Sequence, residues 1–218
     1  MANENLHFTP LYIENETSNA PQDDTEESVW IVMRSRKEKT VVEQPSATGG
    51  KAVAQRLYGY EIIQSMVRRF FMPMKESVTT RGGKRVRKIS PAIPDIFFVN
   101  DTVSHIDEIV RKNIGVEYLY IKGHPYRQPV VIRNEEMDNF IAATTSSQRV
   151  TYHTAGDDNL SRLIGRRVRI PHNDSWIEGE LLTIRGSRYR RLRISLRDCL
   201  VAYIDLHLPP TTLIETLP

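Results

Sequence analysis

Residues able to do acid–base, nucleophilic or metal chemistry are few in this chain, and they are scattered. The six histidines, His7, His105, His124, His153, His172 and His207, form no i, i+4 pair and no ligand-like spacing with cysteine. Cys199 is the sole cysteine, which excludes an intramolecular disulfide and any multi-cysteine zinc site. It lies in an apolar strand and reads as a small core residue rather than a nucleophile. His105 has Asp107 near it and His153 has Asp157, but in loop-like segments without a nucleophile motif. The glycines are dispersed, so there is no phosphate-cradling loop. A site assembled from distant loops would leave no such trace. The chain reads as a non-enzyme, with no catalytic residue, metal or cofactor expected.

The denser chemistry is charge. Arg81, Lys84, Arg85, Arg87 and Lys88 place five bases in eight residues, too charged for a core and therefore exposed. Such a run either contacts nucleic-acid phosphates without base readout or only solvates a hairpin. Arg185, Arg188, Arg190, Arg191 and Arg193 form a second cluster, open to RNA, to a protein partner or to solvent alone. Residues 1–28 hold seven acids and no Lys or Arg, leaving 30 bases against 20 acids, or +10, in the rest. The acidic segment either shields a polyanion-binding surface or is a solvated terminus.

Hydrophobic residues at 39% and charged residues at 26% are ordinary for a soluble chain of 218 residues. No stretch approaches the ~18 consecutive apolar residues of a membrane span. The N-terminus lacks a basic start with an apolar run, so no secretory signal is expected. A reducing cytoplasm and no membrane partner fit this composition.

Certain elements must position these groups. Residues 1–28 read as a disordered acidic tail. Val29-Trp30-Ile31-Val32-Met33 reads as a buried strand. A helix is expected near Arg36, broken by Pro45 and Gly49-Gly50. A second helix is expected from Lys51, because Val53, Leu57, Tyr60, Ile63 and Val67 recur three or four apart. Met74 to Val78 and Val86 to Ile89 flank Arg81-Gly82-Gly83 as a hairpin. Ile96 to Val99 reads as a strand, Ile106, Ile109, Val110 and Ile114 as a helix, and Tyr118 to Ile121 as a strand. Glu135, Met137, Phe140 and Ile141 mark a closing helix. That order is α+β with a mainly antiparallel sheet. Residues 144–159 read as a flexible linker. Beyond residue 160, four or five short strands read as a small all-β barrel of the SH3-like kind, with ten Arg against six acids.

Several motifs in this order resemble the NusG family of bacterial transcription elongation factors, closest to its specialised antitermination paralogues, the UpxY-like and RfaH-like branch. Val29-Trp30-Ile31-Val32 with Arg36-Lys37-Glu38-Lys39 is similar to the family's opening strand and charged helix start. Arg81-Gly82-Gly83-Lys84-Arg85 resembles its basic hairpin tip. Pro94-Asp95-Ile96-Phe97-Phe98-Val99 and Gly115-Val116-Glu117-Tyr118-Leu119 are similar to two of its strands. Gly165, Val168, Ile170, Trp176 and Gly179 resemble the KOW element. Asn173-Asp174 stand where the family's loop has glycine, and both types tolerate a left-handed backbone.

The resemblance implies an NGN-like RNA polymerase-binding domain over 29–143 and a KOW-like β-barrel over 160–218. It implies a transcription elongation or antitermination factor that grips the clamp helices of RNA polymerase and suppresses pausing. By motif position Arg34, Ile96, Phe98 and Leu119 would line the polymerase surface. Alternation puts Phe97 and Phe98 on opposite faces, and we expect Phe97 in the core and Phe98 at the contact. Arg81, Lys84, Arg85, Arg87 and Lys88 would touch DNA of the elongation complex. The KOW loop with Asn173, Asp174, Trp176 and Gly179 would meet Rho, a ribosomal protein or neither. Pro171, Pro209, Pro210 and an Ile/Val-rich core favour strands over a helical form of the C-terminal domain. The competing reading is an RNA- or ribosome-associated binding module that does not depend on polymerase.

Overall fold

The computed structural model describes residues 11–15, 27–44, 53–121, 127–145, 149–154, 165–172, 175–183, 190–197, 199–206 and 215–217. In chain order, β1 (Leu11–Glu14) and β2 (Val29–Ser35) precede a hairpin of β3 (Thr40–Gln44) and β4 (Val53–Leu57). The short helix α1 (Gly59–Ile63) and β5 (Arg69–Met72) follow. A second hairpin, β6 (Met74–Arg81) and β7 (Lys84–Pro91), leads to β8 (Ile96–Asp101), helix α2 (Val103–Arg111), β9 (Val116–Tyr118) and β10 (Val131–Ile132). Helix α3 (Asn134–Thr145) comes next, then β11 (Arg149–Thr154), β12 (Arg166–His172) and β13 (Ser175–Thr183). Finally come β14 (Arg190–Leu196), β15 (Leu200–Leu206) and β16 (Glu215–Thr216). Mainly antiparallel sheet with few helices is an α+β composition, as expected.

Two compact bodies divide the chain: residues 11–72 with 94–131, and residues 132–218 with 73–93. In the first, the strand order is β1-β5-β8-β2-β10, with β9 also on β2. Hydrophobic, β-branched and aromatic residues fill β2, β5 and β8, and burial on both faces of β8 explains its unbroken apolar run. One sheet face carries Ile13, Phe70, Val99 and Ile31 in register, with Phe70 and Phe97 stacked at 5.5 Å. Helix α2 lies on that face: the Tyr118 hydroxyl, in register with Met33, donates to Asp107 at 2.7 Å. Thr102 caps α2 by accepting from the His105 N–H.

The second body holds an antiparallel sheet in the order β11-β15-β14-β13-β12-β16. Val168, Ile170, Ile177, Leu192, Ile194 and Ile204 are buried in it. The strands expected after residue 160 are present. The β6–β7 hairpin turns on Gly82 (φ 58°) and Gly83 (φ 75°), which pairs Arg81 with Lys84 as the Gly-Gly signal predicts.

Several expectations need correction. Leu11–Glu14, inside the segment read as a disordered tail, is a strand on β5. Asn15 anchors its end by donating to the carbonyls of Gln64 and Val67. Among the described residues no helix forms near Arg36, and Val53–Leu57 is a strand paired with Thr40–Gln44, so of the described part of the second expected helix only Gly59–Ile63 is helical. Within the 144–159 linker, Thr144 and Thr145 end α3 and Arg149–Thr154 pairs with β15. The bodies part between residues 131 and 132 rather than after 143, so α3 groups with the C-terminal sheet. Residues 155–159 lie outside the described residues.

Candidate functional site

Strand register decides which of the expected contact residues share a surface. Tyr12, Phe71, Phe98 and Val32 stand in one row across β1, β5, β8 and β2. The Leu119 N–H donates to the Val32 carbonyl at 3.0 Å, which carries the row past β2. In the next row Arg34 lies opposite Ile96 on one side and Glu117 on the other. Leu119 is two residues beyond Glu117 and so returns to the same face. Arg34, Ile96, Phe98 and Leu119 therefore occupy one sheet face, the one opposite helix α2.

Their exposure differs along that face. Arg34 is exposed, while Ile96 and Leu119 are half-buried. Phe98 is 0% exposed, as is Phe97, and its ring lies 6.0 Å from that of Phe71. Alternation separates the two phenylalanines as expected, but Phe98 is core rather than a contact residue. The row opens at its two ends, at Tyr12 (39% exposed) and near Leu119, where Tyr120 and Ile121 are also exposed. Tyr12 is the member that sequence reading missed. Its signal was the apolar Leu11-Tyr12-Ile13, overlooked in an acidic and polar segment.

The basic hairpin is exposed from Lys84 to Ile89. Arg87 faces Glu76 across the strands, with Nε 3.4 Å from the carboxylate. Lys84, Arg85 and Lys88 are exposed with it, whereas the Arg81 side chain lies outside the described residues. Lys75, outside the five-base run, is exposed on β6.

In the C-terminal sheet, Trp176 is 39% exposed, and the Arg169 guanidinium sits 4.9 Å from its ring centre. Arg169 also pairs with Glu215. Gly179 fits where nothing larger would, because an added Cβ would stand 2.7 Å from the Arg193 carbonyl. Asn173 and Asp174 lie outside the described residues, as do Arg185 and Arg188. Arg191 binds Asp205 through two hydrogen bonds of 2.6 and 3.1 Å, and Arg193 binds Glu180 at 2.8 Å. Those two arginines serve the sheet by cross-strand pairing, which takes them out of the second basic cluster.

Of the groups with catalytic potential, His105 Nδ1 lies 3.0 Å from the buried Asp101 carboxylate. That carboxylate also accepts from the N–H groups of Arg68 and Thr102. Asp107 serves Tyr118, whose phenol is pushed above its ordinary value by burial and then by this hydrogen bond. The pair suggested by sequence, His105 with Asp107, is thus split between two structural roles. Cys199 Sγ lies 3.0 Å from the Leu196 carbonyl at the β14–β15 turn. Among the described residues no group of His, Cys, Asp and Glu is placed to hold a metal ion. Nor is any helix among them long and apolar enough to cross a membrane.

No family model, curated protein or solved structure matches the chain in the comparisons with known proteins.

Proposed function

We propose that this protein is a non-enzymatic transcription elongation and antitermination factor of the NusG type. It binds the clamp helices of RNA polymerase and suppresses pausing or termination. The observation that carries this reading is the convergence of Arg34, Ile96 and Leu119 on one sheet face around the buried Phe98. Large apolar side chains beside an exposed Arg suit a protein–protein contact, since they bring area and a charge at modest rotamer cost. In this reading the β6–β7 hairpin reaches DNA of the elongation complex. The C-terminal sheet is a KOW-like barrel that recruits Rho or a ribosomal protein through the surface at Trp176. The setting is the cytoplasm.

The mechanism is a population shift. A factor that binds the closed, elongating clamp better than the open one stabilises it by the difference in affinity, with no bond made or broken. Elongation by purified bacterial RNA polymerase across a terminator, with and without the protein, tests the reading. Readthrough should rise with the protein and return to baseline with Arg34→Ala plus Leu119→Ala. Unchanged readthrough, together with RNA binding that needs no polymerase, would replace it with the RNA-associated module.

A further inference from the structure

The two faces of the β6–β7 hairpin differ in chemistry, a difference invisible in the linear run of bases. Register places Lys75 opposite Ser90, Ser77 opposite Lys88 and Arg81 opposite Lys84. Residues that pair across a ladder share a face, so Lys75, Lys84 and Lys88 all project to one side. No acidic residue occupies that side. The other side carries Glu76, Val78, Arg85, Arg87 and Ile89, with Arg87 ion-paired to Glu76. Among the described residues none of the three lysines has an acidic partner, and all three are exposed. Ser77 and Thr79 donate to the carbonyls of Lys88 and Val86, so their hydroxyls brace the ladder.

We propose that the face bearing Lys75, Lys84 and Lys88 is a sequence-independent docking strip for the phosphodiester backbone of a nucleic-acid duplex. The inference rests on reading this hairpin as the nucleic-acid contact of the proposed factor. It narrows that contact to one face and adds Lys75 to it.

Spacing supports a backbone ligand. At about 3.4 Å per residue, the Lys88 row lies ~7 Å from the Lys75 row and the Lys84 row ~13 Å further. The strip of ~20 Å covers the axial rise of about six base pairs at about 3.4 Å each, room for each of the three lysines to meet a phosphate of the duplex. Lysine is a point charge suited to phosphate. Arg81 holds a register position on this face beside Lys84, and no Asn or Gln, the residues that read adenine edges, stands between Lys75 and Ser90. No aromatic residue lies between Lys75 and Ser90. Proteins that hold unpaired strands rely on aromatic stacking, so a duplex fits better than a single strand.

The test is fluorescence anisotropy of the full-length protein with labelled duplexes, without polymerase, so its failure is distinct from failure of the clamp reading. The probes are two unrelated DNA duplexes of about 20 base pairs, an RNA duplex and the separated strands, titrated between about 50 and 200 mM salt. Both DNA sequences should bind alike. The Lys75→Gln, Lys84→Gln, Lys88→Gln variant should reduce the log–log salt slope by about 2.7, removing roughly a 40-fold part of the salt-induced affinity loss. The Arg85→Gln, Arg87→Gln variant should change the slope by less than about 1. The RNA arm tells which duplex form is preferred, and binding of either duplex supports the strip. Equal loss in both variants, tighter binding of single strands, or displacement by polyglutamate matching displacement by duplex would overturn it. Circular dichroism of each variant confirms that the fold is retained.

Discussion

Asn139 and Glu178 exchange two hydrogen bonds: the Asn139 amide donates to the Glu178 carbonyl at 3.0 Å and accepts from the Glu178 N–H at 2.8 Å. A side chain on α3 thereby completes the backbone of β13 as a neighbouring strand would. The helix and the C-terminal sheet are coupled by this pairing. Substituting Asn139 by Ala strands a half-buried donor and acceptor, which costs about 1–3 kcal/mol. Amide hydrogen exchange at Glu178 should accelerate in Asn139→Ala while amides of β8 keep their rates. Unchanged exchange at Glu178 would show that the pairing adds nothing.

The same coupling changes what truncation does. A chain ending after Ser147 keeps α3 but removes the strand with which Asn139 pairs and the body to which that helix belongs. A truncated protein should lose helicity beyond the share of its missing residues, seen by far-ultraviolet circular dichroism. Retention of full α3 helicity would restore the division at residue 143 that composition suggested.

What was legible in the sequence followed from unambiguous local chemistry. Gly82-Gly83 between alternating strands fixed the hairpin, and the Val, Ile and Leu alternation fixed β12 to β15. Val53 and Leu57 misled because a spacing of four satisfies a helix and a strand alike, and only pairing with Thr40–Gln44 decides. β11 was hidden by its Ser and Thr neighbours, although Val150, Thr151 and Tyr152 favour strands. For the candidate site, alternation separated Phe97 from Phe98 but said nothing of what covers either face. Lys75 escaped notice because faces depend on register, which charge density along the chain does not report.

Gly179 marks a steric limit in the C-terminal sheet. A methyl group there would press on the Arg193 carbonyl at 2.7 Å and the Leu192 Cγ at 2.8 Å. Gly179→Ala should therefore destabilise the protein by about 1–3 kcal/mol through overpacking, read as a lower urea midpoint. Gly82→Ala meets no atom within 4 Å but must hold φ 58°, a backbone strain of about 1–2 kcal/mol confined to the hairpin. If Gly179→Ala unfolds at the wild-type midpoint, the strands part without cost there.

Tyr118 sets a pH dependence. Its phenol titrates above the ordinary value of 10.0 in the fold, because burial and the hydrogen bond to Asp107 favour the neutral form. Its contribution is fully present below the unfolded value and is lost as pH rises through the folded one. Above about pH 10 the unfolded chain releases this proton while the fold retains it, so stability falls by at most about 1.4 kcal/mol per pH unit for this group. Tyr118→Phe should cost about 0.5–1.5 kcal/mol at neutral pH and give a shallower alkaline decline. Denaturant unfolding between about pH 8 and 11 measures both. A decline as steep in the variant as in the wild type would assign the alkaline loss to other groups.

Phe98 and Leu119 share a sheet face but differ in burial, so their truncations distinguish loss of fold from loss of any contact made there. Phe98 is fully buried and packs beside Phe71, so Phe98→Ala should cost about 3–5 kcal/mol and lower binding to any partner through unfolding. Leu119 is half-buried and Arg34 exposed. Truncating Leu119 should cost about 1–2 kcal/mol, and truncating Arg34 about 0.5 kcal/mol or less. If the face docks RNA polymerase, both milder variants should lose most of their binding in pull-downs while their melting temperatures stay near the wild type. Phe98→Ala should lose binding only in proportion to its unfolded fraction, and recover it at lower temperature. A folded Arg34→Ala, Leu119→Ala protein that still binds polymerase at full strength would place the docking surface elsewhere.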